Sequence, residues 1–146
     1  MNFFRLPALA LAFVLVLPAT AEESAPLAYK NLLTPLFKGN ETIVGQTIAY
    51  PAGEPKVTVA IVVIAPGKDT GWHTHQVPLF VTVMDGEVSV DYGSKGVKLY
   101  KAGDSFLEAM DWPHNATNKT DAIVRIMAVY MGADGKADAA PAAGAQ

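Results

Sequence analysis

From Glu41 to Met131 the chain is one short apolar segment after another, each closed by glycine, proline or an Asp-Gly pair. No helical period of useful length runs through these segments. Several instead alternate with period two, as strands do when successive side chains point to opposite faces. Val88, Val90 and Tyr92 alternate with Glu87, Ser89 and Asp91, which predicts one buried and one wet face. Strands are expected at Glu41 to Tyr50, Lys56 to Ala65, Leu79 to Met84, Glu87 to Tyr92, Val97 to Lys101, Asp104 to Ala109, around His114, and at Ala122 to Met131. Asp85-Gly86, between two of them, is a strong signal for a two-residue hairpin. Many short strands at near-regular spacing mean an all-β sandwich or barrel.

The last strand is apolar on both faces, with Val124, Ile126 and Ala128 on one and Ile123, Met127 and Val129 on the other. Such a strand is expected to be covered twice, by the barrel core inside and by a second body outside. Either a second copy of the chain or the lead-in, residues 22 to about 40, serves as that cover. In the lead-in, Leu32-Leu33 and Leu36-Phe37 are expected to pack against the body.

The N-terminus is read as an address. Arg5 supplies a positive charge, Leu6 to Leu17 is apolar, and Ala19-Thr20-Ala21 places small residues where a signal peptidase cuts. The apolar core is far shorter than the ~20 residues needed to span a bilayer, and Pro18 ends it. The expected organisation is a signal peptide over residues 1–21, one domain over 22–132, and a disordered Ala- and Pro-rich tail over 133–146. The cleaved protein is expected to be periplasmic or secreted and free of the membrane. The chain carries a net charge of −3, one unit more negative once Arg5 is removed, and has no basic stripe, which argues against a nucleic acid partner. It contains no cysteine, so thiolate metal sites and cysteine nucleophiles are excluded.

All three histidines fall where a small barrel would use them together. His73 and His75 are two positions apart and share one face of a strand; His114 lies on what reads as a neighbouring strand. Imidazole is the commonest protein metal ligand. Three of them complete one face of an octahedron and leave positions open for substrate or oxygen.

The spacing around these histidines resembles the two motifs of the cupins. Gly67, His73-Thr74-His75, Leu79 and Gly86 follow the first motif; Gly103-Asp104, His114 and Asn118 follow the second. Pro113 before His114 also looks like many cupins, while Ala109 and Asp111 stand where the second motif usually has proline and glycine. The resemblance implies a double-stranded β-helix (a jelly roll, or cupin barrel) with a metal at its mouth, and commonly a homodimer.

One departure carries information. The first motif normally supplies a glutamate where this chain has Leu79, and leucine cannot ligate. Either three neutral histidines hold the metal, or another carboxylate substitutes, or metal binding is weakened. Glu108 is the candidate substitute. The resemblance implies that the residues three and five after Gly103, Phe106 and Glu108, face the barrel interior, and a carboxylate facing an apolar interior needs a cation or hydrogen-bond donors. Leu79, Phe106 and Trp72 are expected to line the pocket, and Asp111 and Asn115 to orient His114 through its second nitrogen. The expected cofactor is one divalent transition metal: Fe, Mn, Ni, Cu or Zn. Three functions follow for such a site. The first is a metal-dependent, dioxygenase-type oxidoreductase acting on a small molecule; the others are a non-catalytic metal- or small-molecule-binding module and a metal-independent isomerase or epimerase.

Overall fold

The computed structural model describes residues 32–143; the expected signal peptide, residues 1–21, lies outside them. Nine strands occur among the described residues: β1 (Pro55–Ile64), β2 (His73–Thr74), β3 (Leu79–Asp85), β4 (Glu87–Asp91), β5 (Val97–Lys101), β6 (Ser105–Leu107), β7 (Asn115–Thr117), β8 (Val124–Ala133) and β9 (Ala140–Pro141). All belong to one compact unit, Pro35–Gln146. Four form a sheet in the order β1-β8-β3-β6, three form a second sheet in the order β5-β4-β7, and β2 pairs with β9. Every pairing is antiparallel. The fold is the expected double-stranded β-helix.

The alternation seen in the sequence builds the core. Leu79, Val81 and Val83 of β3, Phe106 of β6 and Val124, Ile126 and Ala128 of β8 meet Val88 and Val90 of β4, Tyr100 of β5 and Ala116 of β7 in one cluster of buried side chains. Tyr100 stacks on Phe106 with ring centroids 4.0 Å apart. On the second face of β4, Ser89 is buried as well and Glu87 and Asp91 are half-buried, because β5 and β7 flank the strand on both sides.

Three expectations fail here. Asp85-Gly86 is not a hairpin: β3 pairs with β8 and β6, whereas β4 pairs with β5 and β7, so the dipeptide carries the chain from one sheet to the other. Both strands send alternate residues into the same core, so their pattern is the one a hairpin would show. Glu41 to Tyr50 is not a strand either. Gly45, at φ 85°, folds it back on itself, with Thr42 N donating to Gln46 O at 2.8 Å. Ile43 N then ties the turn to Leu107 O.

The third is the tail, which among the described residues is docked. Asp134 N donates to Glu54 O at 3.0 Å, β9 pairs with β2, and Ala142 N donates to Trp72 O at 3.0 Å. Its composition carries no burial signal because backbone hydrogen bonds to the barrel rim, not side chains, hold it.

Of the lead-in, Phe37 packs on Phe80 with centroids 6.0 Å apart, while Leu32, Leu33 and Leu36 are exposed. The inner face of β8 is core, as expected. Its outer residues Met127 and Val129 are half-buried beside β1, whose Val57, Val59, Ile61 and Val63 are each more than half exposed.

Gly86 takes φ 78°, and a Cβ there would stand 2.9 Å from Ile123 O; Gly67 takes φ 69° with nothing within 4 Å. Gly67→Ala is therefore expected to lose only the left-handed backbone preference, about 1 kcal/mol. Gly86→Ala adds a clash with backbone and is expected to lose roughly 2–4 kcal/mol. Chemical denaturation of the two variants checks the difference; equal losses would show that the crossing between sheets can shift to make room.

Candidate metal centre

β2 and the chain entering β7 bring the histidines together. His73 N donates to His114 O, and His114 N to His73 O, both at 3.0 Å, a reciprocal pair that fixes the two segments side by side. His75 follows on the same face as His73. The three rings pack with centroids 4.4 to 5.0 Å apart. One ligand nitrogen from each lies within 4.8 Å of the others.

Each ring is held from behind. His73 Nδ1 donates to Gly71 O at 2.8 Å, His75 Nδ1 to Asp138 O at 2.7 Å, and His114 Nδ1 to Trp112 O at 2.8 Å. A carbonyl oxygen only accepts, so Nδ1 carries the proton and the neutral ring presents Nε2 as a bare lone pair. Burial opposes a cationic ring. It holds His73 and His114 below the ordinary histidine value, and His75, crowded by the other two imidazoles, at about 3. Three neutral imidazoles with converging lone pairs are a donor set that fits a divalent transition metal.

Glu108 is buried and faces the same interior. Its Oε2 accepts from Tyr92 OH at 3.1 Å and lies 3.9 Å from His114 Nε2; its Oε1 accepts from Ala109 N at 2.7 Å. Burial pushes its carboxyl up to about 7, against the pull of the Ala109 N–H and the Tyr92 hydroxyl. It stands beside His114 and outside the group formed by the three histidine nitrogens. Burial likewise raises Tyr92 well above the ordinary phenol value, so its hydroxyl keeps its proton and donates.

Leu79 and Phe106 line an inner cavity of about 60 Å³ with the histidines, Glu108, Val81, Val88 and Ile126. Trp72 is further out. It borders an open recess of about 470 Å³ with His73, His75, Tyr130 and the segment Ala139–Pro141. Asp111 and Asn115 do not orient His114. Asp111 is exposed at φ 47° and donates its own N–H to His75 O at 2.8 Å. Asn115 Oδ1 accepts from Thr70 Oγ1 at 3.3 Å. The Trp112 carbonyl orients His114 instead, being the nearer group once the chain turns through Asp111.

The roles of Gly71, Trp112 and Asp138 were invisible in the sequence because carbonyls belong to every residue. Tyr92 was visible only as one of the inward positions of the strand expected at Glu87 to Tyr92. Asn118 is fully buried and donates to Ile64 O and Ala122 O, joining the end of β1 to the turn before β8.

The cupin domain family matches residues 60–130 of this chain. The sequence matches no curated protein. Among solved structures, an uncharacterized conserved protein with a double-stranded β-helix domain from Klebsiella pneumoniae subsp. pneumoniae MGH 78578 superposes with a TM-score of 0.52 at 21% identity, over 83% of this chain and 99% of that one. A structure of DMSP lyases gives 0.52 at 20% identity, over 60% of this chain and 44% of that one. An oxalate decarboxylase from Lactobacillus farciminis, in complex with formate, gives 0.51 at 20% identity, over 58% and 26%. This chain thus spans less than half the length of either enzyme, and the likeness is one of fold.

Neutral buried imidazoles make the metal-free protein acid-sensitive. The unfolded chain binds protons below about pH 6.5 that folded His75 refuses down to about 3, so stability falls as pH drops through that window. Glu108 acts oppositely between its unfolded value of 4.5 and about 7, where the folded state binds the extra proton, so it offsets part of the slope there and none below. The steepest loss is expected below about pH 4.5. Urea unfolding of the metal-free chain at a series of pH values checks this, and His75→Gln should flatten the profile.

Proposed function

The chain belongs to the cupin superfamily, and on that premise we propose that it is an exported protein holding one divalent transition metal on His73, His75 and His114. We assign it to metal-dependent oxidoreductases of the dioxygenase type acting on a small molecule. The observation that carries the metal reading is the set of three Nδ1–H to carbonyl hydrogen bonds, which commits every Nε2 to one point. Residues with no metal to hold have no reason to expose three lone pairs together inside an apolar barrel.

Bound there, a redox-active metal such as iron supplies open coordination positions for a chelating substrate and O₂ together with the electron-transfer chemistry. The chain supplies the surroundings. Leu79, Val81, Val88, Phe106 and Ile126 keep water scarce around the reacting atoms. Glu108, buried beside His114 and facing the same cavity, is placed to take a proton from a substrate hydroxyl and return it. Tyr92 holds that carboxylate in place by its hydrogen bond. In this reading Glu108 is a proton carrier next to the metal, and the vacancy left by Leu79 stays open for substrate.

A second reading, a non-catalytic metal-binding module, is favoured by the small inner cavity, about 60 Å³, which admits only the reacting end of a substrate. The two readings separate by oxygen consumption with a panel of diketones, thiols and catechols.

The assembly we propose is a homodimer. β1 is an edge strand with an apolar outer face, and Val57, Val59, Ile61 and Val63 continue through Val129 and Met127 of β8. A second copy laid on that face takes these apolar side chains out of water.

Metal analysis of the purified protein should give about one equivalent per chain, and His73→Ala/His75→Ala should lose it. Glu108→Gln should retain the metal while lowering turnover roughly 10²–10⁴-fold. Loss of metal in that variant would instead make Glu108 a ligand. Sedimentation should show two chains, with Ile61→Lys shifting the population to one; a monomeric parent chain would overturn the dimer.

A further inference from the structure

Two of the three metal-facing rings are oriented by their own segments. His73 and His114 each donate Nδ1–H to the carbonyl two residues earlier, Gly71 and Trp112. His75 differs. Its partner, the Asp138 carbonyl, is 63 residues away, beyond the last long strand.

The segment that carries this carbonyl is anchored on both sides of the contact. Before it, Lys136 N donates to Ala133 O at 3.1 Å. After it, β9 pairs with β2 in a register that sets Pro141 opposite His73 and Ala140 opposite Thr74, and Ala142 N closes the ladder on Trp72 O at 3.0 Å. Ala139, Ala140 and Pro141 line the recess outside the histidines together with Thr70 and Tyr130. The Tyr130 ring sits 5.6 Å from that of His75.

We propose that the segment Asp138–Ala142 is a built part of the metal centre. The Asp138 carbonyl is the positioning group for His75, and Ala139–Pro141 narrow the approach from solvent. This rests on the histidines being a metal site, and it adds that the site is incomplete without the C-terminal segment. With the segment removed, His75 loses the acceptor that fixes its tautomer and ring angle. Either nitrogen is then free to face the interior, so the metal meets two oriented rings and one loose one. Outer partners of metal-bound histidines are worth about 10–100-fold in metal affinity. Because the contact is made by backbone, the Asp138 side chain is dispensable to it.

The test compares three proteins by competition titration with Co(II) against a chromophoric chelator, with the visible spectrum of the Co(II) form as the second readout. The full chain sets the reference. A chain ending at Ala137 should bind Co(II) about 10–100-fold more weakly with an altered visible spectrum. Asp138→Ala should match the reference in both. If the shortened chain does not fold, Ala142→Pro replaces it; this removes the donor to Trp72 O while keeping the segment, and should weaken binding at least threefold. Equal affinity and an unchanged spectrum without the segment, or a loss in Asp138→Ala as large as in the shortened chain, overturns the proposal and leaves the three-histidine site standing. A full chain that binds no Co(II) overturns the metal site itself.

Discussion

Three hydrogen bonds from imidazole Nδ1 to backbone carbonyls hold the centre in its geometry. Each fixes a tautomer and a ring plane, and each leaves Nε2 facing the interior. Two of the rings are buried and His73 is half-buried, and this desolvation favours the neutral form of each. Desolvation and hydrogen bonding therefore act in one direction, toward three lone pairs converging on a point. The reciprocal backbone pair between His73 and His114 keeps the two segments from sliding, so the rings cannot lose register without breaking the rim of the barrel.

The carboxyl next to this cluster is the counterpart. Glu108 enters the interior because β6 alternates and Phe106, two residues earlier, faces the core. A buried carboxylate is costly, and Glu108 is met by two donors, the Tyr92 hydroxyl and the Ala109 N–H, rather than by a cationic side chain. That partial compensation leaves its proton affinity near neutrality instead of in the ordinary carboxylate range. An apolar wall, three neutral imidazoles and one buried carboxyl make a site of low dielectric. The outer recess toward Trp72 and Tyr130 is a separate, more open space.

Much of the barrel was legible. Period-two alternation over Glu87 to Tyr92 identified Val88, Val90 and Tyr92 as inward, the cupin resemblance did so for Leu79 and Phe106, and all are buried. The resemblance also set Glu108 on the face of Phe106. Sheet membership was not legible, because strands on opposite walls of one core carry the same pattern; Asp85-Gly86 joins two sheets while looking like a hairpin. The turn at Glu41 to Tyr50 was misread because its apolar residues suit a strand, whereas Gly45 at φ 85° reverses the chain.

The sequence by itself determined the three histidines of the candidate centre and the class of fold. Histidine side chains are rare, chemically distinct and spaced by the strand period, so His73, His75 and His114 announce themselves. So does the absence of a carboxylate at Leu79. Only the tertiary structure decided what stands behind those histidines. The groups that orient the rings are carbonyls, which every residue owns and no sequence pattern marks. The one that holds His75 comes from Asp138, in a segment whose Ala- and Pro-rich composition signals disorder and whose order comes from backbone pairing with the strand that bears His73.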